Sequence, residues 1–172
     1  MKRAWPVLFL LAGCASTPPA ERPKAVVVRL QEDAAQVDLN RPIVARLFGE
    51  ERRSLGGMME ELVTEELERR GQEVRSCPEE GATPEQLAKI LREAAGADGI
   101  VWIRMGRWDL DSVTSGSLVT VEYDITLHRT SDAGAAWAWR VPSRTVHLQA
   151  GEQRDIRGFI HRLVIEALRG FP

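Results

Sequence analysis

The sequence has few of the side chains that most often carry catalysis or bind metals. It contains 2 cysteines and 3 histidines among 172 residues. The histidines, His128, His147 and His161, are too far apart along the chain for the spacings of metal-binding motifs. Neither a G-x-S-x-G motif nor a phosphate-binding P-loop is present. We therefore expect no metal and no other cofactor, and the sequence does not predict an enzyme of a common class.

An excess of positive charge and a long apolar segment are also missing. The 23 Lys and Arg residues are balanced by 25 Asp and Glu residues, whereas a nucleic-acid-binding domain normally has a basic stripe and a high isoelectric point. We therefore predict no nucleic-acid partner. The apolar segment from Val7 to Ala12 is too short to cross a bilayer, because a membrane-spanning helix needs roughly 20 apolar residues.

The first residues instead follow the order of a bacterial lipoprotein signal. A positively charged start precedes the apolar segment, and the run Leu11-Ala12-Gly13-Cys14 matches a lipobox. Residues 1–13 are thus predicted to be a signal peptide, which is cleaved between Gly13 and Cys14 after the Cys14 thiol has received a lipid. Two or three acyl chains hold a protein on a membrane stably, whereas a single chain does not. The alternatives are an ordinary secretory signal with a chance cysteine and a buried amino-terminal helix.

The residues that follow the lipobox indicate where the protein is held. Ala15 is typical of lipoproteins that pass to the outer membrane, so we predict a lipid-anchored protein that faces the periplasm. Residues 14–24 are rich in Ser, Thr, Pro and charge and are predicted to form a flexible tether. Residues 25–172 suffice for a single periplasmic domain. Cys77 then has no intrachain partner, so it is either a buried apolar residue or an intermolecular bridge.

The spacing of apolar residues predicts the secondary structure of the domain. Residues 25–30 are apolar on both faces, as in a strand that is covered on two sides. Thr83 and Gln86 match a capping box, which defines the start of a helix. Residues 42–48 suit a short helical turn, but no clean period emerges there. The predicted elements are strand 25–30, helix 54–70, strand 72–76, helix 83–95, strands 97–111, 118–129 and 135–149, and a final helix from Ile156 with Asp155 as its cap.

The order β-α-β-α-β-β-β-α predicts an α/β fold of the α+β type. The strand at 118–129 alternates apolar and polar residues, as in an antiparallel meander with one polar face. The helix at 54–70 has one apolar stripe, and we expect Glu66 and Arg70 to pair on its solvated side. These patterns predict a two-layer sandwich, with a mixed sheet and the helices on one face.

Tryptophans are concentrated in the three strands of the predicted meander. Trp102 has the opposite parity to the apolar residues Val101 and Ile103, and Arg104 and Trp108 share its parity. Exposed tryptophan beside arginine is frequent in interface hot spots. We therefore predict that Trp102, Arg104 and Trp108 form a protein-contact surface; packing within the sheet or under loops is the alternative.

The polar face of one predicted strand has the best candidates for catalysis. Glu122, Asp124 and His128 share this face, and Arg104 or Arg140 of a neighbouring strand can converge with them. An envelope hydrolase that uses these residues is therefore one hypothesis for function. Ordinary solvated side chains on the open face of a sheet explain the same pattern.

Several segments together resemble a known group of proteins. Residues 96–103, Trp108, residues 120–123 and the pair Ala138-Trp139 are similar to segments of a family of uncharacterised bacterial lipoproteins with a fold like the TolB amino-terminal domain. The same element order occurs in the curli-secretion lipoprotein CsgG and in LpoB, which activates a peptidoglycan synthase. The resemblance implies an envelope lipoprotein that acts through protein contacts. It is either a non-enzymatic accessory subunit of a transport, secretion or cell-wall complex, or a structural homo-oligomer.

Overall fold

The computed structural model describes residues 22–35, 38, 40–49, 53–76, 83, 86, 88–89, 96–113 and 117–172. The predicted signal peptide, the lipobox with Gly13 and Cys14, and Cys77 lie outside the described residues. Between the second and third strands, Gln86, Ala88 and Lys89 are helical. The named elements in chain order are β1 (Ala25–Asp33), α1 (Pro42–Phe48), α2 (Leu55–Arg69), β2 (Glu73–Arg75), β3 (Gly99–Met105), β4 (Leu118–Arg129), β5 (Ala135–His147) and α3 (Ile156–Ala167).

The strands form one mixed sheet in the order β2-β1-β3-β4-β5. β1 pairs in parallel with both β2 and β3, whereas β3, β4 and β5 pair antiparallel. The parallel pairs are those that the sequence connects through helices, and the antiparallel pairs follow one another through short turns. The predicted α+β fold with a two-layer arrangement is confirmed.

The main core lies between one face of the sheet and the helices α1, α2 and α3. Alternate residues of the strands point into it, as a pleated sheet requires. α1 belongs to this layer although its sequence shows no clean period, because Val44, Leu47 and Phe48 are all buried. Among the described residues, the largest fully buried side chains are Tyr123, Phe159, Leu47, Leu55, Met58, Met59, Leu67, Ile100, Ile103 and Met105.

A smaller buried cluster lies on the other side of β1 and β3. Ala88, in the helical segment before β3, packs there with Val27, Ile100 and Trp102. The connection from β1 to β2 and the connection from β2 to β3 run in opposite directions along the sheet. Crossovers between parallel strands are expected to be right-handed. The helical residues at Ala88, between β2 and β3, are therefore expected on the face of the sheet opposite to α1 and α2, which lie between β1 and β2. The segment at Ala88 therefore adds a contact that the two-layer prediction does not include.

The helix boundaries follow the capping residues in the sequence. The Ser54 hydroxyl accepts a hydrogen bond from the Gly57 amide at 3.0 Å, and Asp155 accepts one from the Gly158 amide at 2.9 Å. The capping box is confirmed, because the Thr83 amide donates to Gln86 at 2.9 Å and the Gln86 amide donates to the Thr83 hydroxyl at 3.3 Å. These side chains satisfy amides that have no partner within their own helix.

Three strands are shorter than the sequence pattern suggests, and the first of them, β2, covers Glu73–Arg75 instead of 72–76. β3 ends at Met105 instead of 111, although the Gly106 amide still donates to the Glu122 carbonyl of β4 at 2.9 Å. The chain then pairs with β4 again only as an isolated bridge between Asp109 and Thr120. β5 ends at His147 instead of 149. Alternation of apolar residues continues through the irregular segment after β3, and this concealed the end of the strand.

The charged side of α2 also differs from the expected solvated face. Glu66 pairs with Arg70 as predicted, at 2.7 Å, but the Glu66 side chain is fully buried. Arg69 pairs with the same carboxylate at 2.6 Å. Glu66 is buried because the carboxyl end of α2 lies against the end of α3, where Arg70 donates to the Leu168 carbonyl.

Gly56 is expected to be intolerant of a larger side chain. A Cβ at this buried position would lie 2.5 Å from the Asp33 carboxylate and 2.9 Å from Leu30. The Gly56→Ala variant should therefore lose about 2 kcal/mol of unfolding free energy in urea denaturation, because both neighbours must move. Gly151→Ala is the control, since its Cβ meets nothing within 4 Å, and we expect a change within about 0.5 kcal/mol. Equal losses in both variants would contradict this account of the packing at Gly56.

Candidate functional site

The three residues of the predicted contact surface do not share one face of the sheet. Trp102 is 5% exposed and lies in the smaller cluster with Ala88, whereas Trp108 is 4% exposed and belongs to the main core. The Trp108 ring packs edge-on against Phe159, with 6.1 Å between ring centroids. The chain crosses over because β3 ends at Met105, so the parity predicted for Trp108 is wrong. Of the three, Arg104 is the exposed residue.

Arg104 belongs to a polar surface on the outer side of the sheet. The open face is the side of β3, β4 and β5 that points away from α2 and α3. Arg104 forms an ion pair with Asp124, and Asp124 lies opposite Arg140 in the pairing of β4 with β5. Positively and negatively charged side chains therefore alternate from β3 through β4 to β5. The residues of the open face used below are Arg104, Glu122, Asp124, Thr126, Ala138 and Arg140.

The candidate catalytic residues are only partly brought together. Glu122 and Asp124 line a cavity of about 380 Å³ together with Arg104. His128 lies four residues beyond Asp124 on the same strand, which is about 13 Å away. Its Nδ1 atom is 2.9 Å from the Ala133 carbonyl. A histidine that acts with a carboxylate must lie within hydrogen-bonding distance of it, so these residues do not form the predicted catalytic group.

Two general features of the described residues bear on the expected function. Within the described ranges, no group of three His, Cys, Asp or Glu side chains is placed to hold a metal ion. None of the helices in the same ranges is long and apolar enough to cross a membrane.

The outer edge of the sheet is formed by β5. This strand has 13 residues and pairs only with β4 in the described sheet. Pro142 and Ser143, whose φ is 23°, interrupt the pairing. Proline is tolerated here because an edge strand has no partner for the missing N–H group. The backbone groups on the outer side of an edge strand are a template for pairing with another chain.

Ion pairs on the inner side connect β5 to α3. Arg144 donates to both carboxylate oxygens of Glu166, at 2.9 and 2.8 Å. These hydrogen bonds lower the pKa of Glu166 below its ordinary value, against the opposing effect of burial. A carboxylate that is held ionised by a bidentate arginine is a structural partner of that arginine. We therefore assign this pair to the stability of the sheet edge.

The start of the domain is held firmly at one end of the sheet. The Gln72 side-chain amide donates to the carbonyls of Pro23 and Lys24, both at 2.9 Å. The Lys24 amide donates to Asp98 at 2.8 Å, and Arg22 donates to the Arg70 carbonyl at 2.9 Å. Residues 22–24, which the sequence assigns to the tether, thus contact the domain. Apolar periodicity misses these contacts because they are made by polar groups and by the backbone.

Comparison with known proteins identifies the fold through solved structures. No protein-family model matches the sequence, and no curated protein matches it. The chain is similar to PelC from Paraburkholderia phytofirmans, which was solved as a dodecamer; the identity is 16%, 88% of this chain and 90% of that chain are covered, and the TM-score is 0.55. For the hypothetical protein CT253 from Chlamydia trachomatis, the identity is 6%, the coverage is 86% and 96%, and the TM-score is 0.55.

A lipoprotein is also among the similar structures. GNA1162 from Neisseria meningitidis is 15% identical over 84% of this chain and 96% of its own, with a TM-score of 0.48. At such low identities these likenesses show the fold alone. The predicted resemblance to a lipoprotein family with a TolB-like fold, and to CsgG and LpoB, stays a prediction.

Proposed function

We propose that this chain is a lipid-anchored periplasmic protein of the outer membrane that acts through protein contacts, as a non-enzymatic accessory subunit of an envelope complex. The observation that carries the proposal is the open edge strand β5 beside the open face of the sheet. The class of complex is transport, secretion or cell-wall synthesis, as the resemblance in the sequence implies. Cys14 supplies the anchor, and the domain supplies the contact surface.

The geometry of β5 suits an extended protein partner. The part of β5 that precedes Pro142, residues 135–141, extends over about 23 Å, and an added strand gains backbone hydrogen bonds along such an edge. Ala138 and Arg140 lie on the open face beside this edge and are exposed. Side chains at these positions contribute specificity, because they meet the partner beside the paired backbone.

A second copy of the chain is the first partner that we propose. The PelC structures that share this fold were solved as dodecamers, and symmetric assembly of identical chains is the commonest form of protein oligomer. An envelope protein of another sequence is the alternative partner. The hydrolase hypothesis has weaker support, because His128 lies apart from Glu122 and Asp124.

A charged residue on the open face at the β5 edge should disrupt the assembly. Ala138 is exposed and lies opposite Thr126 in the sheet, so Ala138→Arg leaves the core intact. We expect the acylated protein in mild detergent to be oligomeric by light scattering, and the variant to associate at least about tenfold more weakly, as for a residue at the centre of an interface.

The matched control is Ala45→Arg. Ala45 is exposed on α1, on the opposite side of the sheet, so the same change in size and charge should leave the oligomer intact. The proposal would be contradicted if the wild-type protein is monomeric and if the Ala138→Arg variant retains every protein that co-purifies with the wild type. Equal weakening by both variants would also contradict it.

A further inference from the structure

A cavity of about 540 Å³ lies at the end of the sheet where the chain enters the domain. The side chains that give it chemical character are Arg22, Lys24, Asp98, His128 and Arg129. Apolar residues, among which Leu127 is the largest, form the remaining wall. The cavity thus combines a charged rim with an apolar part.

The charge on the rim is predominantly positive. Arg22 donates its hydrogen bonds to neutral groups, the Arg70 carbonyl and the Gln72 side chain. In the part of the chain that the structure describes, the Lys24 ammonium group makes no ion pair. Arg129 pairs with Asp132 at 3.0 Å on the exposed side. The carboxylate of the rim, Asp98, accepts a hydrogen bond from the Lys24 amide at 2.8 Å.

These charges suit the phosphodiester group of a phospholipid. Arginine and lysine bind phosphate oxygens through charge-assisted hydrogen bonds. Arg22, Lys24 and Arg129 line the cavity, and they exceed Asp98 and the Asp132 partner of Arg129 by one positive charge. The apolar wall offers a surface to the glycerol and the first methylene groups. A small anion without an apolar part would leave this wall without a partner.

The position of the cavity favours a membrane lipid as the source. Arg22 follows Cys14 by eight residues, and a fully extended chain of this length reaches at most about 28 Å. This step rests on the proposed anchor at Cys14. The end of the domain that contains the cavity is therefore the end nearest to the lipid surface.

We propose that this cavity binds the headgroup of an anionic phospholipid in the membrane to which the protein is anchored. The contact turns the end of the sheet at Arg22 and Arg129 toward the bilayer. β5 and the open face then point along the membrane, where a neighbouring protein is accessible to them.

Vesicle binding tests the proposal independently of acylation. The mature chain, residues 14–172, is used with Cys14→Ser so that it remains soluble. We expect it to bind phosphatidylcholine vesicles that contain phosphatidylglycerol about tenfold more tightly than pure phosphatidylcholine vesicles. Lys24→Gln and Arg129→Gln should each weaken this binding about fivefold, the effect of one basic side chain near an anionic surface. Both side chains are exposed, so neither substitution removes a core contact.

Arg154→Gln is the matched control, because Arg154 is exposed in the turn before α3, at the opposite end of the sheet. Its binding should equal that of the unsubstituted chain. Equal affinity for both kinds of vesicle would overturn the proposal, as would an equal loss in the Arg154→Gln variant. If glycerol 3-phosphate binds as tightly as the lipid, the ligand is a free phosphate ester, and this result would also overturn the proposal. The outcome is separate from fatty-acid labelling of Cys14, which tests the anchor.

Discussion

Replacing Glu66 with alanine is expected to lower the free energy of unfolding by about 2 kcal/mol. The Glu66 side chain is 0% exposed and accepts hydrogen bonds from Arg69 at 2.6 Å and Arg70 at 2.7 Å. Arg70 also donates to the Leu168 carbonyl, so the same group joins the ends of α2 and α3. The variant loses the charge-assisted hydrogen bonds from both arginines, whereas the Arg69 and Arg70 side chains, 67% and 27% exposed, remain in contact with solvent.

Chemical denaturation of Glu66→Ala measures this loss directly. Glu68→Ala is the matched control, since Glu68 is exposed on the same helix and its removal should change the unfolding free energy by less than about 0.5 kcal/mol. If the two variants lose the same amount, Glu66 does not join the two helices as described.

The Glu66 interaction should also depend on pH in a defined direction. Hydrogen bonding to Arg69 lowers the pKa of Glu66 from 4.5 to about 2 in the folded protein, and burial opposes this shift. A carboxyl with a lowered folded-state pKa stabilises the protein above the unfolded-state value and loses this effect as the pH falls through the folded-state value. The difference in stability between wild type and Glu66→Gln should therefore be full above about pH 5 and disappear toward pH 2. A difference that is independent of pH would show that Glu66 is not ionised in the folded state.

Replacing Cys14 with serine is expected to abolish attachment to the outer membrane. Serine lacks the thiol that would receive the lipid, and each buried methylene group of an acyl chain contributes about 0.8 kcal/mol to membrane binding. The loss of two or three chains therefore removes most of the binding energy. Labelling with radioactive palmitate and separation of the two membranes should show an unlabelled protein that is missing from the outer-membrane fraction.

Cys77→Ser is the control for the anchor, because it makes the same substitution at the other cysteine of the sequence. It should retain both palmitate label and location, whether Cys77 is buried or bridged to another chain. A wild-type protein that takes up no palmitate would exclude the lipid anchor. If Cys14→Ser retains the palmitate label and Cys77→Ser loses it, the lipid is attached to Cys77 and the predicted anchor at Cys14 is wrong.

Local patterns predict the elements of this fold well where one physical cause dominates. Ser54, Thr83 and Asp155 cap helices because their side-chain oxygens satisfy free amides, and this effect depends only on neighbouring residues. The alternation from Val119 to Leu127 likewise predicts a strand with one buried face, which β4 has. The interruption of the pairing at Pro142 follows from the missing N–H group of proline.

Other features depend on distant parts of the chain. Trp108 is buried because the chain leaves the regular strand after Met105, and the Trp108 indole N–H then donates to the Glu122 carbonyl at 3.1 Å. Glu66 resembles any exposed helical glutamate until the end of α3 is placed beside it. The cavity at Lys24 combines residues from β3, β4 and β5 and from the segment before β1. Sequence periodicity carries no information about such contacts, because it records only the neighbours along one element.

Photo-cross-linking in living cells tests the account most directly. A photoreactive p-benzoylphenylalanine is placed at Ala138 on the open face in one strain and at Ala45 on α1 in another, both in the acylated protein. We expect irradiation to give a discrete adduct from position 138, either a dimer of this chain or a complex with one envelope protein, and none from position 45. No adduct from position 138, or the same adducts from both positions, would contradict a protein-contact role for the open face and the β5 edge.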